Sequence, residues 1–323
     1  MEAYSSCYAG LDIGGTKCSA IIGKVPDGSG DIKILEKKVL KTDTSISPYE
    51  MLARLDTLLG PMFEKYPVKA IGVSCGGPLD SERGIIMSPP NLPGWDNVCI
   101  TEYLSKKYGV PAKLQNDANA CAWAEYKFGA GKGCRNMVFC TMGTGFGAGL
   151  VLGGKLYSGT SDLAGEIGHI RLAEHGPVGF GKRGSVEGFC SGGGIAQLGK
   201  IAALEKLQAG QKTAYCSSLA ELETVTAKTI GDAAENGDET ATEVYRECGR
   251  YLGKALSILI DLLNPQFIVI GSIFVRSENL IRASMQEVID AECLPVAAAA
   301  CKVVPAKLGE SLGDIAALSV AML

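Results

Sequence analysis

The sequence predicts an α/β protein of two lobes built on one plan. Short apolar runs that end in glycine alternate with segments of helical spacing. One pattern of apolar strand, polar residue, glycine turn and new strand occurs twice, as LDIGGTK at 11–17 and CTMGTGF at 140–146. The chain has 323 residues, enough for two domains of ordinary size.

The elements follow in order. Residues 8–25 run apolar on both sides of Gly14 and Gly15, which gives two strands. VPDGSG at 25–30 marks a turn, and DIKILEKKVLKT reads as the third strand of a meander. SPYEMLARLDTLLGPMFEKY starts on Ser-Pro and spaces Met51, Leu52, Leu55, Leu58 and Leu59 as a helix does. VKAIGVSCGG is a short buried strand, so the first part reads βββαβ. TEYLSKKYGV is a short helix, AKLQND a strand and ANACAWAEYKFGAG a helix. MVFCTMGTGFGAGLVLGGKLYSG then repeats strand, glycine turn, strand, glycine turn, strand. From about 187 to 262 the chain reads as helical, with an acidic loop at GDAAENGDETAT (231–242). NPQFIVIGSIF and CKVVPAKLGE are strands, and SLGDIAALSVAML is a closing helix. No low-complexity linker separates the lobes, so the boundary is expected as a hinge near Asn116–Ala120.

Composition limits the function. The chain is 46% hydrophobic and 20% charged with 42 glycines, as in a globular protein with ample core. A net charge of −4 argues against a dedicated nucleic-acid binder. The 12 cysteines form no Cys-x-x-Cys pair, and several, such as Cys75, Cys140 and Cys301, sit in apolar surroundings, which points to the reducing cytoplasm. The N-terminus has neither the basic region nor the apolar stretch of a signal peptide. The most apolar window, 251–275, is broken by Lys254, Asp261 and Pro265, so no membrane span is expected.

Glycine turns at strand ends present backbone N–H groups to an anion. Gly14 and Gly15 form one such turn, and Gly143 to Gly147 the other. A bare hairpin turn is the plain alternative, although two residues would suffice for it. Neither stretch is a Walker A loop, and neither is a Rossmann fingerprint, because strand rather than helix follows each. An acid just before the first turn, Asp12, is placed to hold Mg²⁺ beside phosphates, directly or through water.

Together LDIGGTK, VSCGGPLD, NLPGW, QNDANACAWAE, GTGFGAGLVLGGKLYSG and AGEIGHI resemble the ROK family of sugar kinases, over about residues 8–320. The resemblance implies the two-lobed actin-like ATPase fold, a duplicated ribonuclease H-like plan in which each lobe is a mixed sheet with flanking helices. The small lobe would be 1–118 with the C-terminal helix at about 308–323, the large lobe 119–307, and sugar and ATP would lie in the cleft between them. The activity implied is ATP-dependent phosphorylation of a hexose or N-acetylhexosamine hydroxyl, with Asp117 as general base. Asn91, Asn116, Glu166, His169 and Glu187 would bind the sugar. Asp12, Gly14, Gly15, Thr16, Lys17, Thr141, Gly143, Thr144, Gly145 and Gly271 would bind the nucleotide and its phosphates. Strand alternation leaves open whether Lys17 points away from that site. A monosaccharide, ATP and Mg²⁺ are the expected ligands, without nucleic acid or membrane, and a homodimer is the expected assembly.

The sequence departs from the family at one loop. Many members carry cysteine ligands for zinc after the GH segment, whereas Val178, Phe180 and Ser185 stand at those places here. One histidine cannot hold a structural zinc, so no zinc site is expected, and packing of Phe180 and Val178 is expected to order the loop instead. Two other readings come from the same family. A transcription repressor would carry a helix-turn-helix ahead of the first glycine turn, where ten residues precede Leu11. A sugar-binding regulatory protein without kinase activity would keep the sugar ligands alone.

Overall fold

The computed structural model describes residues 7–25 and 30–323. Most of the turn expected at 25–30 lies outside the described residues. The chain divides into two compact units, 1–135 with 149–164 and 307–323, and 136–148 with 165–306.

In the first unit, β1 (Cys7–Ile13), β2 (Lys17–Lys24) and β3 (Lys33–Lys41) form an antiparallel meander. Helix α1 (Pro48–Lys65) then crosses back to β4 (Val68–Cys75), which lies parallel to β1. Three short strands, β5 (Leu79–Asp80), β6 (Ile85–Ile86) and β7 (Val98–Cys99), make a small separate sheet. Helix α2 (Ile100–Tyr108) leads to β8 (Ala112–Asn116), parallel to β4, and α3 (Asp117–Phe128) follows at once. The sheet order is β3-β2-β1-β4-β8.

Ser47 starts α1 with a capping box to Glu50, and Pro48 fits the first turn, where a missing N–H costs nothing. The helix runs through Gly60 and Pro61 to Lys65. Its buried Met51, Leu52, Leu55, Leu59 and Met62 join Cys7, Ala9, Leu11 and Ile13 of β1 in one core.

The second sheet repeats the plan. It comprises β9 (Met137–Met142), β10 (Phe146–Leu152), β11 (Lys155–Tyr157), β14 (Phe267–Ile270) and β15 (Lys302–Pro305) in the order β11-β10-β9-β14-β15. Here β14 is parallel to both β9 and β15. Each sheet therefore has its first strand in the centre, a hairpin meander on one side and two later strands on the other. The duplication expected from the two glycine-tipped stretches is present as topology.

The second unit also contains a short hairpin, β12 (Val178–Gly179) and β13 (Lys182–Arg183). Helices α4 (Val186–Cys190), α5 (Gly192–Gln208), α6 (Ala227–Glu235), α7 (Glu239–Leu263), α8 (Ile273–Glu292) and α9 (Pro295–Ala300) complete it. The acidic stretch 231–242 is not the loop that its composition predicts. Thr226 caps α6 and Asp238 caps α7, so only 236–238 interrupt helix. Ile230, Ala233, Ala234, Ala241 and Val244 are buried while Asp232, Glu235 and Glu239 face outward. The acids conceal an amphipathic period that smaller apolar residues carry.

The last helix, α10 (Leu312–Val320), returns to the first unit. Ile315, Ala316 and Val320 pack with Ala120 and Ala124 of α3, and Ala317 and Leu318 with Ile21 of β2. The fit is backbone against backbone. A Cβ on Gly72 of β4 would lie 2.1 Å from the Ala317 carbonyl oxygen and 2.4 Å from the Ala321 nitrogen. Gly72→Ala should therefore lower the thermal midpoint by roughly 5 °C or more, because no side-chain rotamer relieves a backbone clash. A melt within about 1 °C of wild type would show that α10 does not lie against this sheet.

Candidate active site

Parallel pairing brings three strand ends to one edge of the first sheet. Asp12 lies beside Ser74, Ile13 beside Cys75, and Cys75 beside Asn116. Ligand sites of open α/β sheets gather at such carboxyl ends. Beyond β1 the chain turns at Gly14, whose N–H donates to the Lys17 carbonyl (3.1 Å). Thr42 braces the turn, its N–H on the Thr16 carbonyl (3.0 Å) and its hydroxyl on the Gly14 carbonyl (2.5 Å). A Cβ at Gly15 would stand 2.3 Å from the Asn91 carbonyl oxygen, so glycine alone allows the loop carrying Asn91 to close on this turn. That loop is anchored by buried Leu92 and Trp95, while Asn91 is exposed.

Asn116, not Asp117, caps α3. Its Oδ1 accepts from the N–H groups of Ala118 (2.9 Å) and Asn119 (3.4 Å). That leaves the amide nitrogen as the group Asn116 can offer a ligand, and it lies 3.5 Å from where a Gly77 Cβ would stand. The Asp117 carboxylate accepts from the Ala118 N–H (2.8 Å). It is within reach of solvent yet crowded by protein, and this desolvation raises its pKa.

Asp12 is pushed up to about 6, first by burial and then by the negative charges of Asp117 and Asp314, against the smaller influence of Lys17 and Lys37. Lys17 stands two residues before Ser19, the partner of Asp12, so it shares the face of Asp12 rather than pointing away. Lys37 is already engaged by Asp314 (2.7 Å). Asp12 thus sits in an excess of negative charge, which suits a divalent cation. Among the described residues no three His, Cys, Asp or Glu side chains form a metal cage. A single carboxylate fits Mg²⁺ that keeps its waters and phosphate ligands. The same carboxylates act on nearby thiols: burial and then Asp117 hold Cys75 and Cys121 well above the ordinary thiol range.

In the second unit, Gly143, Thr144 and Gly145 turn the chain from β9 into β10. The Gly143 N–H donates to the Gly145 carbonyl (3.0 Å), and the Gly192 N–H to the Gly143 carbonyl (2.8 Å). Glu187, at the start of α4, accepts from the Phe146 N–H (3.0 Å), and its Oε2 lies 2.8 Å from where a Gly145 Cβ would stand. Glu187 therefore braces this loop. Glu166 and His169 flank a 3₁₀ turn, Ile167–His169, and both are exposed. Thr141 and Ser272 lie next to Gly143, and Gly271 follows β14 against the Phe139 ring. A cavity of about 920 Å³ opens beside the loop, lined by Thr144, Gly193, Lys228, Asp232, Tyr245 and Arg276 among others.

The predicted residues thus form two groups. Asp12, Gly14, Gly15, Thr16, Lys17, Asn91, Asn116 and Asp117 belong to the first unit. Thr141, Gly143, Thr144, Gly145, Glu166, His169, Glu187 and Gly271 belong to the second. Sequence reasoning missed Gly192, Gly193, Lys228 and Arg276 in the cavity wall. The triple glycine at 192–194 was a usable signal, since glycine is a poor helix former yet here opens α5.

The 178–187 loop corrects another expectation. Phe180 is 77% exposed and Val178 40%, so their packing does not order it. The loop is a hairpin whose two-residue turn, Phe180 (φ 44°) and Gly181 (φ 74°), has positive φ at both positions. Gln197 clamps the Val178 backbone at N–H (2.9 Å) and carbonyl (2.8 Å), and buried Ser185 caps α4. Backbone hydrogen bonds hold the loop.

Two sheets of one order, each with a glycine turn after its central strand, define the actin-like ATPase fold. The ROK family profile matches residues 8–322, and the chain belongs to the ROK family. It is 31% identical over 316 residues to a glucokinase of Thermotoga maritima, covering 96% of each chain. It is 32% identical over 263 residues to an N-acetylmannosamine kinase of Escherichia coli, covering 81% of each. A ROK family glucokinase from Streptomyces griseus, solved with glucose and AMPPNP, superposes with TM-score 0.76 at 28% identity, over 98% of this chain and 99% of that one. A ROK family transcriptional regulator, a homologue of the E. coli MLC protein, superposes with TM-score 0.82 at 26% identity, over 98% of this chain and 78% of that one.

The charge around Asp12 has a measurable consequence. The folded carboxyl keeps its proton to about pH 6, against an ordinary value of 3.8, so the folded state binds the extra proton between these values. Stability from this group is largest at acid pH and falls as pH rises through that window. Asp12→Asn should therefore raise the thermal midpoint of the ligand-free protein at neutral pH by about 2–4 °C and flatten its pH dependence between about 4 and 6. A lowered midpoint at neutral pH would mean that Asp12 is compensated.

Proposed function

We propose that this ROK family sugar kinase transfers the γ-phosphoryl group of ATP to a hydroxyl of a hexose or N-acetylhexosamine, with Asp117 as general base. The observation that carries the reading is the environment of Asp117. Its carboxylate is fixed by one backbone N–H and raised in pKa by desolvation, beside an amide donor on Asn116. The likeness over nearly the whole chain to a glucokinase holding glucose and AMPPNP supports it.

Asp117 takes the proton of the acceptor hydroxyl as its oxygen bonds to the γ-phosphorus, and the bond from that phosphorus to the bridging oxygen breaks to release ADP. Phosphoryl transfer asks mainly for positioning and charge stabilisation. The N–H groups of the turns at Gly14–Thr16 and Gly143–Gly145 would receive phosphate oxygens. Mg²⁺ bound with the nucleotide supplies neutralising charge at those oxygens, and Asp12 would hold it, through water. Asn91, Asn116, Glu166, His169 and Glu187 would receive the sugar hydroxyls, each of which needs a partner when buried. Glu187 would serve sugar and loop together, since one of its oxygens already holds the Phe146 N–H.

The second reading, a sugar-binding regulator without kinase activity, draws support from the likeness to the ROK family transcriptional regulator. A panel of monosaccharides assayed for ADP release separates the two. The expected result is turnover with a hexose or N-acetylhexosamine, and a loss of kcat by about 10²–10⁴ in Asp117→Asn with sugar affinity largely kept. Sugar binding by calorimetry without ADP release from any of them would favour the regulator, and an active Asp117→Asn would remove the proposed base. We also propose a homodimer that works in the reducing cytoplasm. Light scattering at micromolar protein should then give about twice the chain mass of 33.7 kDa, and a monomer mass would refute the dimer.

A further inference from the structure

Ser272 stands in the wall of the cavity beside the 143–145 loop, and the role inferred for it rests on that cavity being the nucleotide site. The residue joins β14 to α8 with φ 57° and ψ −112°. Glycine enters this region freely, whereas a residue with a Cβ is strained there and persists only where its surroundings hold it. Helix capping does not account for the serine. Serine is favoured at an N-cap because its oxygen accepts a helix N–H, yet Ser272 occupies the N-cap of α8 without making that bond. Its hydroxyl has no hydrogen-bond partner among the described residues.

The side chain instead lies over the glycine turn. Ser272 Oγ is 3.7 Å from where a Gly143 Cβ would stand, and Thr141 Oγ1 is 3.9 Å from the same point. Arg276, one helical turn further on, lines the same cavity, is exposed and forms no salt bridge among the described residues. An anion above Gly143 would meet two hydroxyls and the backbone of the turn, in a cavity that the Arg276 side chain also lines. A glycine at 272 would give the same chain path without strain, so the hydroxyl is what the strained serine adds.

We propose that Ser272 is a ligand of the nucleotide's polyphosphate, donating its hydroxyl to a phosphate oxygen above Gly143, and that its backbone strain is tolerated for that contact. Two substitutions separate the parts of the claim. Ser272→Ala removes the hydroxyl and keeps the strain, whereas Ser272→Gly removes both.

Calorimetric titration of the full chain with AMPPNP and, separately, with inorganic tripolyphosphate should show a loss of roughly tenfold in affinity in both variants, the size expected for one hydrogen bond to a charged group. In turnover the KM for ATP should rise while the KM for the sugar stays within about twofold. Thermal melts should show Ser272→Gly about 2–4 °C above wild type and Ser272→Ala near wild type. Wild-type binding of AMPPNP that both variants keep within about twofold would overturn this inference and leave the kinase reading intact. A loss confined to AMPPNP, with tripolyphosphate unaffected, would move the contact to the nucleoside and overturn the phosphate assignment. A Ser272→Gly melt no higher than wild type would overturn the strain. Absence of AMPPNP binding by the wild type would overturn both this inference and the kinase reading beneath it.

Discussion

Parallel pairing of β1, β4 and β8 forces two carboxylates toward one sheet edge, and much of the first unit's architecture bears on that constraint. Asp12 closes β1 and Asp117 follows β8, with β4 between them. Burial raises the pKa of both carboxyls, and the negative charges of Asp117 and Asp314 raise that of Asp12 further. The fold answers with a rigid frame. Apolar side chains of β1 and α1 fix the sheet from one side, and α10 closes against it from the other. A frame of this kind can keep charge uncompensated until a ligand supplies the balance, which is how electrostatic preorganisation is built.

The second unit meets a related constraint with backbone rather than charge. A turn that is to face an anion must be free of side chains and yet held still. Glu187 grips the end of the 143–145 turn, Gly192 grips its start, and the N-terminal glycines of α5 let the two come close. The site on this side is therefore made of hydrogen-bonded main chain braced by a few carboxylate and hydroxyl groups. Under the proposed function such a surface would offer backbone N–H groups to phosphate oxygens, with hydroxyls beside them.

Much of this was legible in the chain itself. The apolar runs on either side of Gly14 and Gly143 disclosed both hairpins, and their likeness disclosed the repeated sheet order. What escaped shares a physical cause. The acidic run at 231–242 reads as solvated loop because charge dominates its composition, although Ile230, Ala233 and Ala241 carry a helical face. The 178–187 loop reads as needing Phe180 and Val178 for a core, but its order comes from Gln197 and from positive φ at Phe180 and Gly181, which apolar counting does not register. Lys228 and Arg276 reach the cavity from α6 and α8, far along the chain from either glycine turn, and no local pattern links them to it. That Asn116 rather than Asp117 would cap α3 was equally hidden, since either residue type suits the role.

The raised thiols of Cys75 and Cys121 carry a chemical consequence. Oxidants and alkylating agents attack the thiolate, and burial first, then negative charge from Asp117 and Asp12, suppresses that form at both sulfurs. A chain with so many cysteines would be a poor candidate for oxidative durability. Here burial, reinforced by the anionic edge of the sheet, acts as redox insulation, and the two sulfurs serve as ordinary packing atoms.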